Sequence, residues 1–232
     1  MGKFYFKSYE NYIETLKSLS DKEFIDFQKK LIPTSQPIIG VRMPIMRKLI
    51  KETDTECYSL ILNENTNLYF EETVIAGLIA TRLNEEESVE NLLELLPYID
   101  NWATCDLICG DIKFIKKNKE KYFSKIKSLA LNNKEFYSRC GLVLLLKFYI
   151  DEKYLNDIFK ICEECDNEKF YVSMAVAWLI SAICVKFPNE TYEFLKNDKL
   201  NNFIHNKAIQ KIKESFRVSP ELKERLSALK RK

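Results

Sequence analysis

Apolar residues recur at three- and four-residue spacing along nearly the whole sequence, in segments of about ten to eighteen residues separated by short polar breaks. This period is that of one face of an α-helix, and no strand-like alternation of useful length interrupts it. The five glycines and six prolines are too few for a turn-dense β-sandwich. We therefore predict an all-α protein. The predicted helices cover residues 7–19, 21–31, 41–52, 55–63, 69–80, 85–96, 101–117, 119–131, 134–150, 151–164, 168–186, 189–195, 199–216 and 219–230.

The predicted helices follow one another in pairs, with a period of about 35 to 40 residues. Helical pairs of this length stack into a curved α-α superhelix, a solenoid whose concave face binds elongated partners. An ordinary helical bundle is the alternative that the period leaves open. We expect residues 1–232 to form a single domain.

Basic residues are concentrated in two places, although the formal net charge is only +2. Residues 113–127 carry seven lysines against one glutamate, and residues 207–232 carry nine lysines or arginines against three glutamates. Separated basic clusters on a concave scaffold fit contact with a phosphate backbone. A charged, solvated helix face is the alternative for either cluster taken alone.

The sequence lacks most of the motifs that carry catalytic chemistry. It has no glycine-rich phosphate loop, no nucleophile elbow and no zinc-protease motif. Cys162 and Cys165 form a lone C-x-x-C, and His205 is the only histidine, so a structural zinc site lacks ligands. We expect no metal and no cofactor. An enzyme built on this chain would use carboxylates, aromatic rings and arginines.

Two features of the sequence bear on its compartment. The apolar stretch 170–187 approaches the length of a membrane span, but Ser173, Ser181 and Lys186 favour a core helix. The count of seven cysteines is odd, and the N-terminal residues show no secretory pattern. We expect a cytoplasmic protein that does not enter a membrane.

Four side chains stand out on otherwise apolar helices. Trp102 and Asp106 lie at i and i+4, which places them on one helix face. Arg139 lies among apolar residues such as Phe136, Leu142 and Val143, where a guanidinium needs an anion or an aromatic face. Trp178 lies in the longest apolar segment. Each has a structural interpretation: Trp178 fills the core, and Arg139 pairs with a buried acid such as Asp106. Together they indicate a functional site.

Five blocks of the sequence resemble the AlkD-like DNA alkylation repair family, in the same order and over nearly the whole chain. The blocks are GVRMPIMRKLIKE (40–52), NWATCDLICGDIKFIKKN (101–118), YSRCGLVLLLKFYI (137–150), FYVSMAVAWLIS (170–181) and NKAIQKIKESFRVSPELKERL (206–226). Members of this family are curved stacks of HEAT-like helical repeats. The resemblance therefore implies the same solenoid that the helix period predicts.

The resemblance also implies an activity. Enzymes of the family are DNA glycosylases that release N3- and N7-alkylated purines, whose positive charge makes them good leaving groups. By their positions in the motifs, Trp102 and Trp178 match the family's two aromatic residues and Asp106 matches its carboxylate. Asp106 would stabilise the oxocarbenium-like transition state, and the tryptophans would pack against the sugar. Arg139 matches the arginine that grips the backbone beside the lesion.

Seven further basic residues are candidates for contacts with DNA phosphates. They are Arg42, Arg47, Lys48, Lys113, Lys207, Lys211 and Arg217. The expected partner is double-stranded DNA, bound through its backbone and without sequence preference. We expect the protein to act as a monomer.

Two other functions remain open from the sequence. One is a DNA-binding scaffold without catalysis that recognises branched or distorted DNA, for which binding would be salt-sensitive and Asp106 dispensable. The other is a protein-interaction solenoid, for which DNA binding would be absent and the tryptophans would be core or partner anchors.

Overall fold

The computed structural model describes residues 4–165 and 169–232. Within them the chain is all-helical, apart from an isolated parallel bridge between Phe4 and Thr53. The helices are α1 (Tyr9–Ser18), α2 (Lys22–Leu31), α3 (Met43–Glu52), α4 (Glu56–Asn63), α5 (Phe70–Ala80), α6 (Glu85–Leu95), α7 (Trp102–Asp111), α8 (Lys119–Ala130), α9 (Glu135–Phe148), α10 (Glu152–Glu164), α11 (Phe170–Lys186), α12 (Pro188–Asn197), α13 (Asn202–Glu214) and α14 (Pro220–Ser227). Every predicted helix is present, so the predicted fold class is confirmed.

The prediction of one helix over 101–117 is wrong. Helix α7 ends at Asp111, and Lys113–Lys116 form a separate short 3₁₀ turn. Ile112 has φ −76° and ψ 81°, which is outside the helical region and breaks the chain of hydrogen bonds. The other ends differ from the prediction by at most three residues, and the predicted start at residue 168 lies outside the described residues.

The described chain consists of two compact units, an N-terminal one that ends at Ile112 and a C-terminal one, Lys113–Lys232. In the N-terminal unit, α5 packs against α3, α4, α6 and α7. Every residue of α5 is buried, so this helix forms the centre of the unit. The prediction of one domain over 1–232 stays a prediction.

In the C-terminal unit, α11 packs against α9, α12 and α13, while α8 packs against α9 and α14 against α13. Contacts thus join helices that are one or two positions apart along the chain. This is the packing of stacked helical repeats, in which each pair contacts only its neighbours. It is consistent with the helical-repeat solenoid that the period predicts.

A glycine allows the close contact between α8 and α9. A Cβ atom at Gly141 would lie 2.2 Å from the backbone N of Ala130 and 2.6 Å from its Cα. Both atoms belong to the last turn of α8. Since backbone cannot give way as a side chain can, α9 needs a residue without a side chain at this point.

Among the described residues, no helix combines the length and the apolar character that crossing a membrane requires. Helix α11, which contains most of the apolar stretch 170–187, has 17 residues.

Candidate functional site

Helix α7, which carries Trp102 and Asp106, has a fixed starting point. The Asn101 side chain caps its first turn by accepting a hydrogen bond from the Thr104 N–H at 2.9 Å. The preceding Asp100 carboxylate accepts bonds from Thr34 Oγ1 at 2.8 Å, from Ser35 N at 2.6 Å and from Ser35 Oγ at 2.7 Å. Partial burial of Asp100 acts to raise its pKa, but these bonds and one from Asn101 outweigh it and lower the pKa. The ionised carboxylate therefore ties the start of α7 to residues 34–35.

Trp102 and Asp106 lie on the partly exposed face of α7, as their i, i+4 spacing predicts. Both residues are half-buried, whereas Cys105, Ile108 and Cys109 on the other face are buried. The ring of Trp102 packs against the apolar core of the N-terminal unit. Asp106 is thus held one helical turn after Trp102, on a partly exposed face of α7.

A buried carboxylate shapes the loop before α3. Glu71 is 0% exposed, and its carboxylate accepts hydrogen bonds from the backbone N–H groups of Ile39 at 2.9 Å, Gly40 at 2.7 Å and Val41 at 3.1 Å. Gly40 has φ +94°, a conformation that favours glycine. Burial raises the pKa of Glu71, although the three N–H groups favour the ionised form. The loop leads directly into Arg42 and helix α3.

The three basic candidates of this region differ in their surroundings. Arg42 forms an ion pair with Asp21 at 2.8 Å, and its guanidinium lies 4.6 Å from the centre of the Phe24 ring. Arg47 forms an ion pair with Asp111 at 2.8 Å. Lys48 is exposed. The two arginines would therefore have to exchange a carboxylate for a phosphate in order to bind DNA.

Arg139 holds the start of α11. It is 6% exposed, and its Nη1 donates a hydrogen bond to the carbonyl oxygen of Tyr171 at 2.8 Å. The guanidinium also lies 6.0 Å from the centre of the Tyr171 ring. In the same place Glu135 accepts a hydrogen bond from the Tyr171 N–H at 2.8 Å. The sequence predicts an anion or an aromatic face for this guanidinium, and the Tyr171 ring is an aromatic face within reach.

Trp178 borders an open cleft of about 260 Å³ in the C-terminal unit, the Trp178 cleft. Its lining residues are Trp178, Ser181, Ala182, Val185, Lys211, Glu214, Ser215 and Arg217. The structure thus brings together three of the residues predicted from the sequence: Trp178 from α11, Lys211 from α13, and Arg217, which follows α13. Trp178 is half-buried, and its exposed part borders the cleft.

The two remaining basic candidates of the C-terminal unit do not line the cleft. Lys207 lies one helical turn before Lys211 on α13, and its Nζ donates a hydrogen bond to Gln210 Oε1 at 3.0 Å. Lys113 is exposed at the start of the 3₁₀ turn that precedes α8.

Two residues near the Trp178 cleft escaped the sequence analysis. The Lys147 ammonium lies 5.6 Å from the centre of the Trp178 ring, within range of a cation–π contact. Phe216, between two residues that line the cleft, is 103% exposed. The sequence gives no signal for either, because a lysine near a helix end and a phenylalanine between helices both have ordinary structural interpretations.

The histidine and the cysteines of the chain are buried. His205 is 1% exposed; its Nδ1 lies 2.8 Å from Asp198 Oδ2 and its Nε2 lies 2.9 Å from the Leu229 carbonyl oxygen. All seven cysteines are buried. Burial raises the pKa of Cys165 to about 12 and that of Cys184 to about 11. These two thiols stay protonated at neutral pH and are poor nucleophiles.

A comparison with family models matches residues 12–212 to the DNA alkylation repair enzyme family. The match covers most of the chain, and the chain therefore belongs to this family. Membership indicates a role in the repair of alkylated DNA. A comparison with curated proteins found no match.

Proposed function

We propose that the protein is a DNA glycosylase that removes cationic N3- and N7-alkylated purines from duplex DNA in base-excision repair. The observation that carries the proposal is the Trp178 cleft, where an indole and two cations, Lys211 and Arg217, border one opening. An indole face attracts a positively charged sugar, and the cations attract the phosphates on either side of it.

The chemistry of the lesion suits the residues that are accessible. When the glycosidic bond breaks, the bonding electrons leave with the alkylated purine, which departs as a neutral base, and the positive charge passes to the deoxyribose. Water then forms a bond to the sugar carbon and loses one proton to solvent. Because the leaving base needs no proton, the reaction does not require a histidine acid. The one histidine of this chain, His205, is buried, and both of its ring nitrogens have hydrogen-bond partners.

The roles of individual residues follow from the family motifs and from elementary electrostatics. Asp106 stabilises the positive charge on the sugar and helps to place the water. The family motifs assign to Trp102 and to Trp178 a contact with the sugar. Each cation–π contact of this kind contributes about 0.5–2 kcal/mol, depending on how far water is excluded. By its position in the motif, Arg139 is assigned to the DNA backbone beside the lesion, although in the structure it is 6% exposed and bonds the Tyr171 carbonyl oxygen.

We propose that duplex DNA is bound through its phosphates. Lys211 and Arg217 are the strongest candidates because they share the cleft with Trp178. Lys48, Lys113 and Lys207 add charge outside the cleft, and Arg42 and Arg47 contribute after they release their carboxylate partners. Contacts of this kind read no bases, so binding is independent of sequence.

The experiment compares two leaving groups on otherwise identical duplexes. One duplex carries a single N7-methylguanine, which is cationic, and the other carries a single uracil, which is neutral and needs protonation or strong stabilisation to leave. We expect release of the methylated base well above the spontaneous rate and no release of uracil. Binding of both duplexes without release of either base would contradict the proposal and favour a DNA-binding scaffold.

A further inference from the structure

None of the lysines of residues 113–127 lines the Trp178 cleft. Four of them border a second cavity of about 510 Å³ in the C-terminal unit, together with Lys153 from the start of α10. We call this cavity the lysine pocket; its lysines are Lys116, Lys117, Lys119, Lys121 and Lys153. No residue lines both this pocket and the Trp178 cleft.

The acidic residues of the pocket are already engaged. Glu120 forms an ion pair with Lys153, which lowers the pKa of Glu120 and raises that of Lys153. The Asp151 carboxylate caps α10 by accepting a hydrogen bond from the Lys153 N–H at 3.3 Å. Within residues 4–165 and 169–232, by contrast, Lys116, Lys117 and Lys119 form no ion pair. Five lysines against two carboxylates leave the pocket with a net positive charge.

The backbone adds to this field. Helix α8 begins at Lys119 and α10 begins at Glu152. The pocket is lined by Lys119 and by Asp151, the residue before α10, so both helices begin at the pocket. The N-terminus of a helix carries a partial positive charge. Lysines and helix ends together favour an anion with several oxygens.

We propose that the lysine pocket binds backbone phosphates of DNA and is a second anchoring site outside the Trp178 cleft. The proposal rests on the proposed function only in taking DNA as the polyanion. Phosphodiester groups fit the pocket because lysine ammonium groups bind phosphate as point charges without demanding a fixed geometry. A second site would hold the duplex while the protein searches for lesions.

The test reverses two charges in the pocket and, as a control, two charges outside it on α8 and α10, the helices whose first residues border the pocket. The pocket variant is Lys116→Glu with Lys117→Glu, and the control is Lys125→Glu with Lys160→Glu. Lys125 on α8 and Lys160 on α10 are exposed and do not line the pocket. The net charge changes by the same amount in both variants, so their non-specific electrostatic attraction to DNA is matched. The affinity for an undamaged duplex is measured as a function of salt concentration.

We expect the salt dependence of the pocket variant to become shallower by about 1.8 in the log–log slope, because each lost phosphate contact removes about 0.9. The control should keep the slope of the wild type. Equal slopes in the pocket variant and the control would overturn the proposal.

A second measurement does not depend on any variant. Tripolyphosphate is added to the isotopically labelled wild-type protein, and the amide resonances of residues 116–121 are followed by NMR. Shifts that duplex DNA reproduces support the proposal. Shifts with tripolyphosphate but not with DNA overturn it, since the pocket would then take a free phosphate compound. If DNA binding depends on the pocket and no base is released, the proposed function fails while the second site stands.

Discussion

Removal of the Glu71 carboxylate should destabilise the N-terminal unit severely. The carboxylate is the acceptor for three consecutive backbone N–H groups, at Ile39, Gly40 and Val41. These residues are buried, so water cannot replace the lost acceptor without a rearrangement of the loop. Glu71→Ala removes all three hydrogen bonds. Glu71→Gln keeps one acceptor oxygen and replaces the other with an amide group.

The magnitude follows from the number of donors that lose their partner. Each buried donor left without an acceptor costs about 1–3 kcal/mol. Relaxation of the loop recovers part of this, so we expect Glu71→Ala to lower the free energy of unfolding by about 3–5 kcal/mol, the range for breaking a buried charged contact. In Glu71→Gln one oxygen can still serve Gly40 and Val41, while the amide group opposes the Ile39 N–H. We expect a loss of about 1–3 kcal/mol for this variant.

The assay is urea unfolding of the full chain in a Trp178→Phe background. Trp102 then supplies the fluorescence, and its packing against the N-terminal core makes it a reporter for this unit. Glu90→Ala is the control, since Glu90 is exposed on α6 and its removal should change stability by less than about 0.5 kcal/mol. A loss below about 1 kcal/mol for Glu71→Ala, or a larger loss for Gln than for Ala, would refute the reasoning.

Three further results are expected. Gly141→Ala should lower the melting temperature, because its Cβ would lie 2.2 Å from the backbone N of Ala130; a melting temperature equal to that of the wild type would contradict the close contact. Asp100 has a lowered pKa in the folded protein, so its stabilising contribution is present above the unfolded value of 3.8 and is lost as the pH falls through the folded value; acid unfolding below pH 3.8 should therefore be flatter in Asp100→Asn than in the wild type. Asp198→Ala should cost about 3–5 kcal/mol in thermal unfolding, because the buried carboxylate bonds His205, whereas an effect as small as that of a surface change would show that the contact is dispensable.

The helices could be predicted from the sequence because burial of one helix face leaves a period that is visible in a single chain. The same signal misled at residues 101–117. Ile108, Ile112 and Ile115 are all buried and keep helical spacing, although the backbone leaves the helix at Ile112. A 3₁₀ turn buries apolar side chains at nearly the same intervals, so the pattern does not reveal the break.

The surroundings of the candidate residues could not be predicted, because their partners are distant in the sequence. The sequence makes Arg42 and Arg47 candidates for phosphate contacts, and nothing near them in the sequence points to Asp21 or Asp111. The same holds for Glu71, which stands beside a second glutamate at the start of α5 and whose hydrogen-bond donors are 30 to 32 residues away. The i, i+4 relation of Trp102 and Asp106, in contrast, is local, and the structure confirms their common face.

The role of Asp106 is tested most directly by the single-turnover rate at which the protein releases N7-methylguanine from a duplex. Asp106→Asn keeps the size of the side chain and removes its charge, and Asp157→Asn is the control, because Asp157 is also half-buried on a helix and has no proposed role. We expect Asp106→Asn to reduce the rate by about 10²- to 10³-fold, the usual effect of removing one electrostatic stabiliser of a transition state. Duplex affinity should be unchanged or slightly higher. Release by Asp106→Asn at the wild-type rate would contradict a catalytic role for this carboxylate.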